Sequence, residues 1–187
     1  MNISNFSDEK TANTNIVSAK QRAAYLNNIH AHNIMELCVG PSLRRLQAVY
    51  ANYGISCWGN DIDPRWKEYY PQGHWMIGDA LRLVQRLQRF DTIVFAPPLS
   101  MGCSGRREDS LYLKDVNPGY KEFLQAYKQY IGVKNLVLVL PGKTLSIKSE
   151  RNEMYKLLSC INVPYQIMPL TNGCVKYIDI LIPKVNS

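Results

Sequence analysis

The sequence lacks the features that would assign it to a membrane, secreted or disulfide-rich class. No apolar run reaches the roughly 18 residues of a transmembrane helix, so we expect no membrane association. The polar segment Met1–Asn15 has no apolar signal-peptide core, which favours a cytoplasmic protein. The five cysteines form no CxxC pair and are odd in number, so neither a disulfide framework nor a zinc knuckle is indicated. Free thiols in a reducing compartment are expected instead.

Spacings typical of metal ligands are also missing. His30 and His32 are separated by one residue, but no cysteine or acid stands at a matching distance. We therefore interpret them as helix-terminal or surface residues and predict no metal site. The chain also shows no internal repeat and no low-complexity tract.

The composition is that of a basic globular protein. The 187 residues suffice for one domain with a buried core and carry a net charge of +7. Residues 42–90 hold seven basic and four acidic side chains, and residues 114–156 hold eight and four, whereas 91–113 is nearly neutral. Such a balance fits a polyanionic partner such as nucleic acid. Within Ala80–Arg89, however, the arginines at helical spacing also fit a solvated helix face.

Hydrophobic periodicity predicts alternating strands and helices after a flexible tail over residues 1–15, with a single domain over 16–187. The predicted helices are Ile16–Ile29, Leu43–Tyr53, Arg65–Tyr70, Ala80–Arg89, Tyr120–Tyr130 and Lys148–Cys160. The predicted strands are Asn33–Val39, Ile55–Ile62, His74–Ile77, Thr92–Ala96, Asn135–Leu140, Val163–Met168 and Val175–Ile182. A loop is expected from Pro97 to about Val116.

This alternation predicts a three-layer α/β fold. Near-continuous apolar strands indicate a doubly wound, mostly parallel sheet of about seven strands with helices on both faces. The last two strands are separated by Thr171–Gly173, which favours a C-terminal antiparallel hairpin. Ligands of such sheets bind outside the carboxyl ends of the strands, so functional residues are expected there.

Glycines, acids and prolines stand at the predicted ends of the first four strands. The first strand ends with Glu36-Leu37-Cys38-Val39-Gly40, the second with Asp61-Ile62, the third with Asp79-Ala80, and the fourth with Ala96-Pro97-Pro98-Leu99. A glycine turn lets a ligand approach the backbone closely. Asp61 lies 21 residues after Gly40, a spacing at which an acid accepts hydrogen bonds from ribose hydroxyls. The ordered set indicates a nucleoside site.

From about Asn33 to Ser100 these motifs resemble the class I S-adenosylmethionine-dependent methyltransferases. The resemblance implies S-adenosyl-L-methionine as cofactor, with the Glu36–Gly40 segment under its methionine part. It implies that Asp61 binds the ribose, that Ile62 packs on the adenine, and that Asp79, followed by Ala80, bonds near the adenine amino group. The segment Ala96-Pro97-Pro98-Leu99 matches the fourth motif, where the methyl group is transferred.

Two other enzyme classes fit less well. A nicotinamide dehydrogenase requires G-x-G-x-x-G after the first strand, which this chain lacks, since Pro41 and Ser42 follow Gly40. The cytosine-C5 methyltransferases resemble parts of the chain, but their nucleophilic cysteine follows Pro-Pro directly, where Leu99 stands here. Cys103 lies too far along to take that role, and we interpret it as an ordinary loop thiol.

The fourth motif also departs from that of the amino-methyltransferases. Their Asp/Asn/Ser-Pro-Pro-aromatic segment holds the amine with a polar side chain and a backbone carbonyl, and stacks an aromatic ring on the base. Here Ala96 keeps the carbonyl, but the polar side chain and the ring are missing. Tyr112 either replaces the ring or packs in the core.

The loop after the fourth motif is the predicted substrate segment. Ser100 lies at its start, and Arg106 and Arg107 either hold phosphates through bidentate bonds or pair with neighbouring Glu108 and Asp109. The function expected is methyl transfer to a base nitrogen in DNA or RNA, with a partner subunit for target recognition or RNA recognised by shape. The alternatives are a methyltransferase for a small molecule or protein, and a non-catalytic cofactor-binding subunit. The sequence leaves the methylated atom and the oligomeric state open.

Overall fold

The structure, a computed structural model, describes residues 9–39, 43–64, 73–96, 113–170 and 177–185. It contains four α-helices and seven β-strands in these ranges. The helices are α1 (Glu9–Asn28), α2 (Leu43–Ala51), α3 (Leu113–Ala126) and α4 (Lys148–Leu158). The strands are β1 (Asn33–Leu37), β2 (Ser56–Asp61), β3 (Trp75–Ile77), β4 (Thr92–Phe95), β5 (Asn135–Pro141), β6 (Gln166–Pro169) and β7 (Tyr177–Ile182).

All seven strands form one sheet in the order β3-β2-β1-β4-β5-β7-β6. The first five pair in parallel, and β7 runs antiparallel to both β5 and β6. The predicted mixed α/β sheet with a C-terminal antiparallel pair is therefore confirmed. The turn predicted at Thr171–Gly173 lies outside the described residues.

Apolar side chains cover the sheet on both faces, which explains why the central strands are mostly apolar. One core packs α1 and α2 against the sheet, with Ile34, Val94 and Val137 pointing to that side. The other packs α3, α4 and the segment after β3, with Met35, Leu37, Ile93 and Leu138 at its centre. The three predicted layers follow from these two cores. None of the helices in the described ranges is both long enough and apolar enough to cross a bilayer.

The α1 and α3 helices begin earlier than the sequence pattern indicates. The structure starts α1 at Glu9 instead of Ile16, so residues 9–15 of the predicted tail are helical. It starts α3 at Leu113, within the predicted loop. The sequence signal is misleading in both places, because Thr and Asn rank low in helix propensity and Pro118-Gly119 normally interrupt a helix. The assignment of 16–187 to one domain stays a prediction.

The predicted helix Ala80–Arg89 is wrong. Two short 3-10 turns, Ala80–Arg82 and Val84–Leu87, replace it. The hydroxyls of Tyr127 and Tyr130, which follow α3, donate hydrogen bonds to the carbonyls of Ala80 and Val84 and tie this segment to the chain after α3. The backbone bonds are those of 3-10 turns, since the amides of Arg82, Leu83 and Arg86 donate to the carbonyls three residues before them.

Candidate functional site

The strand order reverses between β1 and β4, which places a crevice at their carboxyl ends. The β1 neighbours are β2 on one side and β4 on the other, and β3 lies beyond β2. In doubly wound sheets this switch point is where ligands bind. The ends of β1 to β4 are also where the sequence analysis locates its candidate residues, so the topology brings these segments together.

Asn60 connects the carboxyl ends of β1, β2 and β3 through hydrogen bonds. Its side chain is fully buried, and its Nδ2 donates hydrogen bonds of 2.9 Å to the carbonyls of Met76 and Gly78. The backbone carbonyl of Asn60 accepts a hydrogen bond from the Val39 amide at 2.9 Å. Because two carbonyls face the amide nitrogen, the Oδ1 atom points away from them, and it accepts no hydrogen bond from the described residues. We call Cys38, Asn60, Asp61 and Asp79 the carboxyl-end ledge.

Asp61 and Ile62 combine an acceptor with an exposed apolar surface. The half-buried Asp61 accepts a hydrogen bond from the Asp63 amide at 3.0 Å, which holds the carboxylate at the end of β2. Ile62 follows with 70% of its surface exposed, although it is large and apolar. A carboxylate beside an uncovered aliphatic side chain suits a ligand that carries both hydroxyl groups and a ring.

Asp79 and Ala80 form the end of β3. The Asp79 side chain accepts from the Leu81 amide at 3.0 Å, caps the first 3-10 turn, and lies 3.6 Å from the Arg82 guanidinium. It remains 41% exposed, so part of its carboxylate faces solvent. Ala80 is buried behind it, and its carbonyl accepts from Tyr127. Gly78, at φ 143°, makes the turn that a side chain would strain.

Cys38 lies against both carboxylates of the ledge. Burial, with the charges of Asp61 and Asp79, raises the pKa of the Cys38 thiol to about 12. Burial also raises the pKa of Tyr127, with further contributions from Cys38 and Asp79. Cys38 itself takes a positive φ of 59°, a conformation that turns the chain sharply after β1. Asp79 raises the pKa of both Cys38 and Tyr127, and Asp61 raises that of Cys38. The four side chains therefore lie close together, in a region to which the two carboxylates give a negative charge.

Glu36 lies on the opposite, α1/α2 face of β1, in a buried ionic network. The network consists of Arg22, Tyr25, Glu36, Tyr50 and Asp179. Arg22 holds Asp179 with two bonds of 2.5 and 2.7 Å, and lies 3.5 Å from Glu36. The Tyr50 hydroxyl donates to Glu36 at 2.5 Å, and that of Tyr25 donates to Asp179 at 2.6 Å.

Burial and the neighbouring charges together shift the pKa values of this network. It raises the pKa of Glu36, against the opposing effects of Arg22 and Tyr50. Burial alone would lower the pKa of Arg22, but Asp179 and the other nearby acidic groups outweigh it and raise that pKa. Glu36 therefore has a clear structural role, and its contact with the methionine part of a cofactor stays a prediction.

Of the predicted methyl-transfer motif, only Ala96 lies within the described residues. It is half-buried, and its amide donates to the Leu37 carbonyl at 3.5 Å, which joins the end of β4 to that of β1. The other predicted site residues are outside the described ranges: Gly40, Pro97, Pro98, Leu99, Ser100, Arg106, Arg107 and Tyr112. Within those ranges no three His, Cys, Asp or Glu side chains come together as a metal site would require.

Three residues of this site have no role of their own in the predictions from sequence. Cys38 lies inside the predicted Glu36–Gly40 segment, but no separate role is predicted for it. Asn60 precedes Asp61, and a polar residue in a strand that is otherwise buried is a signal that could have identified it. Tyr127 is far away in sequence, and nothing local reveals that its hydroxyl reaches Ala80.

Comparisons with known proteins agree on the fold. No protein-family model and no curated protein sequence matches the chain. The methyltransferase domain of bacterial CtHen1 matches with a TM-score of 0.64 at 9% identity, over 90% of this chain and 99% of that one. The hMettl16 catalytic domain in complex with the MAT2A 3′UTR hairpin 6 matches at 0.60 and 11%, over 90% and 69%.

Human N-acetylserotonin methyltransferase in complex with SAM matches with a TM-score of 0.57 at 14% identity, over 91% of this chain and 52% of that one. At such identities the likeness concerns the fold. The sheet order, the two covering layers and the ledge at the strand ends agree with it. The chain has the fold of the class I S-adenosylmethionine-dependent methyltransferases.

Proposed function

We propose that this protein binds S-adenosyl-L-methionine at the carboxyl-end ledge and transfers its methyl group to a base nitrogen in nucleic acid. The observation that carries the proposal is the placement of Asp61, Ile62 and Asp79 side by side at the ends of β2 and β3, in a sheet of methyltransferase order. The bound cofactor would supply an activated methyl group on a sulfonium. The protein's task is to hold and align it.

The chemistry of the ledge suits a nucleoside. Asp61 offers an anionic acceptor to ribose hydroxyls, and the exposed side chain of Ile62 offers an apolar face to an adenine ring. The exposed part of the Asp79 carboxylate offers an acceptor to an exocyclic amino group. Burial chiefly raises the pKa of Cys38, and the charges of Asp61 and Asp79 add to that effect; the same two charges favour a cationic ligand over an anionic one. A cofactor that joins a nucleoside to a positively charged sulfonium group satisfies both requirements, the nucleoside contacts and the positive charge.

Methyl transfer would then take place at the end of β4. Ala96 is fixed to β1 at the switch point, so a backbone carbonyl there can orient an amine for in-line attack. We assign methyl-transfer positioning to Ala96, Pro97, Pro98 and Leu99, in line with the sequence resemblance. We assign substrate contacts to Ser100, Arg106, Arg107 and Tyr112 on the same ground.

Nucleic acid is the favoured substrate because of charge. The net charge is +7, and one similar structure is a catalytic domain in complex with an RNA hairpin. Other similar structures are those of an O-methyltransferase and of a methyltransferase for N-acetylserotonin, so the fold does not select the substrate. Partner-assisted recognition of the target remains part of the proposal.

Calorimetry with S-adenosyl-L-methionine tests the cofactor site. Asp61→Ala is expected to abolish measurable binding while the thermal unfolding stays close to wild type. Asp61→Asn keeps an acceptor for the Asp63 amide and removes the charge, so its affinity should fall by about 10-fold or more. Glu122→Ala removes an exposed carboxylate on α3 and should bind like the wild type. Unchanged affinity in Asp61→Ala would remove Asp61 from the site.

Transfer from tritiated cofactor tests the substrate class. DNA, tRNA, rRNA, protein and small-molecule extracts are offered separately, and we expect label in a nucleic-acid fraction. Label only in a small molecule or in protein would refute the nucleic-acid assignment and leave the methyltransferase assignment intact. Tight cofactor binding without transfer to any fraction would favour a non-catalytic cofactor-binding subunit.

A further inference from the structure

A basic groove lies beside the edge strand β3, between it and the second 3-10 turn. Met76, Arg86 and Arg89 line it, and its volume is about 340 Å³. We call it the β3 groove. The segment that carries both arginines leads from the carboxyl end of β3 to the amino end of β4 and begins at Asp79 of the carboxyl-end ledge. The groove therefore follows directly from the proposed cofactor site along the chain.

The two arginines of the β3 groove have no acidic partner among the described residues. Both side chains are exposed, and neither makes an ion pair in the described ranges. The neighbouring Arg82 differs, since it lies 3.6 Å from the Asp79 carboxylate. Two adjacent guanidinium groups that lack counter-charges repel each other, so an anion between them would relieve that repulsion.

Aromatic rings hold the Arg89 guanidinium in a fixed plane. Its Cζ lies 3.9 Å from the centroid of the Trp58 ring and 5.0 Å from that of Phe90. A guanidinium that stacks on a ring leaves its N–H edge free to form bidentate bonds with phosphate. The stacking therefore lowers the entropy that Arg89 would lose on binding an anion.

The same surface offers a ring on which a nucleobase can stack. His74 is exposed, and its ring lies 4.8 Å from that of Trp58 with a tilt of 34°. Guanidinium groups that follow a backbone, next to an exposed ring, form the arrangement that binds single-stranded nucleic acid. An acidic peptide would use the charges but not the ring.

We infer that the β3 groove binds the phosphodiester backbone of a single-stranded nucleic-acid segment through Arg86 and Arg89. This rests on the proposed function in one respect, since it supplies a second contact for a nucleic-acid substrate. The groove lies toward the amino ends of the strands, where the Arg89 carbonyl accepts from Asn33 at the start of β1, so it would hold a part of the substrate at a distance from the methylated base. It explains why part of the excess positive charge lies in residues 42–90.

The test measures affinity for a fluorescein-labelled, single-stranded RNA of mixed sequence as a function of salt. With two phosphate contacts, Arg86→Gln/Arg89→Gln should lower the slope of log affinity against log salt by about 1.4, at roughly 0.7 for each phosphate of a single strand. Its affinity at low salt should fall by about 10-fold or more. Arg86→Gln alone should give about half of the change in slope, and it leaves the Trp58 stack intact.

Arg151→Gln is the matched control for Arg86→Gln, because it removes one exposed arginine on α4 and so changes the net charge by the same amount. It should leave the slope within error of the wild type. If Arg151→Gln and Arg86→Gln weaken binding equally, or if neither arginine of the groove changes the slope, the inference is wrong. Equal dependence of poly-glutamate binding on Arg86 would also refute it, in favour of an acidic protein.

The two proposals fail in different ways. The arginine variants should keep wild-type affinity for S-adenosyl-L-methionine by calorimetry. Groove-dependent RNA binding without methyl transfer to nucleic acid would refute the proposed substrate and support the groove. Methylated RNA with wild-type salt slopes in the variants would refute the groove and support the substrate.

Discussion

Arg22→Met gives the sharpest test of the buried ionic network under β1. Arg22 is 6% exposed and is the only cation in contact with Asp179 and Glu36 among the described residues. Methionine has a similar length and fills most of the space, so the substitution removes charge more than volume. Two buried carboxylates then lose their counter-charge.

The magnitude follows from the geometry of the pair. Arg22 makes two short bonds to Asp179, which is fully buried, so solvent screens neither group. Breaking a buried pair by removing one partner costs about 3–5 kcal/mol. For a chain of this size, about 4 kcal/mol lowers the melting temperature by roughly 8–16 °C. That is a large part of a typical folding free energy of about 5–15 kcal/mol.

Urea unfolding at neutral pH measures the effect. Arg151→Met serves as the control and should change the free energy of unfolding by about 0.5 kcal/mol or less, since Arg151 is exposed. The double variant Arg22→Met/Asp179→Asn should lose less than the sum of the single variants, with a coupling of about 2 kcal/mol. A loss below about 1 kcal/mol in Arg22→Met would refute the view that this pair stabilises the fold.

Three further predictions concern the groups around the site. Cys38, with a pKa of about 12, should react with iodoacetamide at pH 7.4 far more slowly than the exposed Cys160, as peptide mapping by mass spectrometry would show; equal rates would contradict the burial of Cys38. Tyr127→Phe should lower the free energy of unfolding by about 1–2 kcal/mol and weaken cofactor binding, because the Ala80 carbonyl keeps only the longer bond of 3.4 Å from the Leu83 amide. The exposed Tyr155 provides the control, and Tyr155→Phe should do neither. Because the pKa of Glu36 is raised in the folded state, its protonated form contributes stability at low pH that is lost as the pH rises through that pKa. Glu36→Gln should remove this loss, so its stability relative to wild type should increase as the pH rises above the ordinary pKa of a glutamate carboxyl, and parallel pH curves would contradict the assignment.

The strand pattern was predictable because burial on both faces leaves a strong signal. The runs Asn33–Leu37, Thr92–Phe95 and Asn135–Pro141 are mostly apolar and are buried at nearly every position, as expected in a sheet covered by two layers. The four strand-end motifs were predictable for a related reason, since parallel strands bring their carboxyl ends to one edge. The C-terminal antiparallel pair was predictable from the short turn between the last two strands.

Long-range side-chain contacts explain what the sequence did not reveal. The segment after β3 contacts hydroxyls more than 40 residues away, and helical spacing of Arg82, Arg86 and Arg89 gave a false helix signal. For Glu36 the sequence did not reveal the contacts with Arg22 and Tyr50 of α1 and α2. The ligand contact that its position in the first motif predicts stays a prediction.

These contacts indicate that the face of β1 toward α1 and α2 and the carboxyl end of β1 have different roles. On one face, Glu36 contacts Arg22 of α1 and Tyr50 of α2, and Arg22 in turn binds Asp179 of β7. At the carboxyl end, Cys38 and the backbone of Asn60 turn the chain toward Asp61 and Asp79, whose side chains are partly exposed. A rigid strand between a buried network and an open ledge keeps the ledge in place without a ligand. Substitutions in the network should therefore reduce stability first and cofactor affinity second, whereas substitutions at Asp61 should do the reverse.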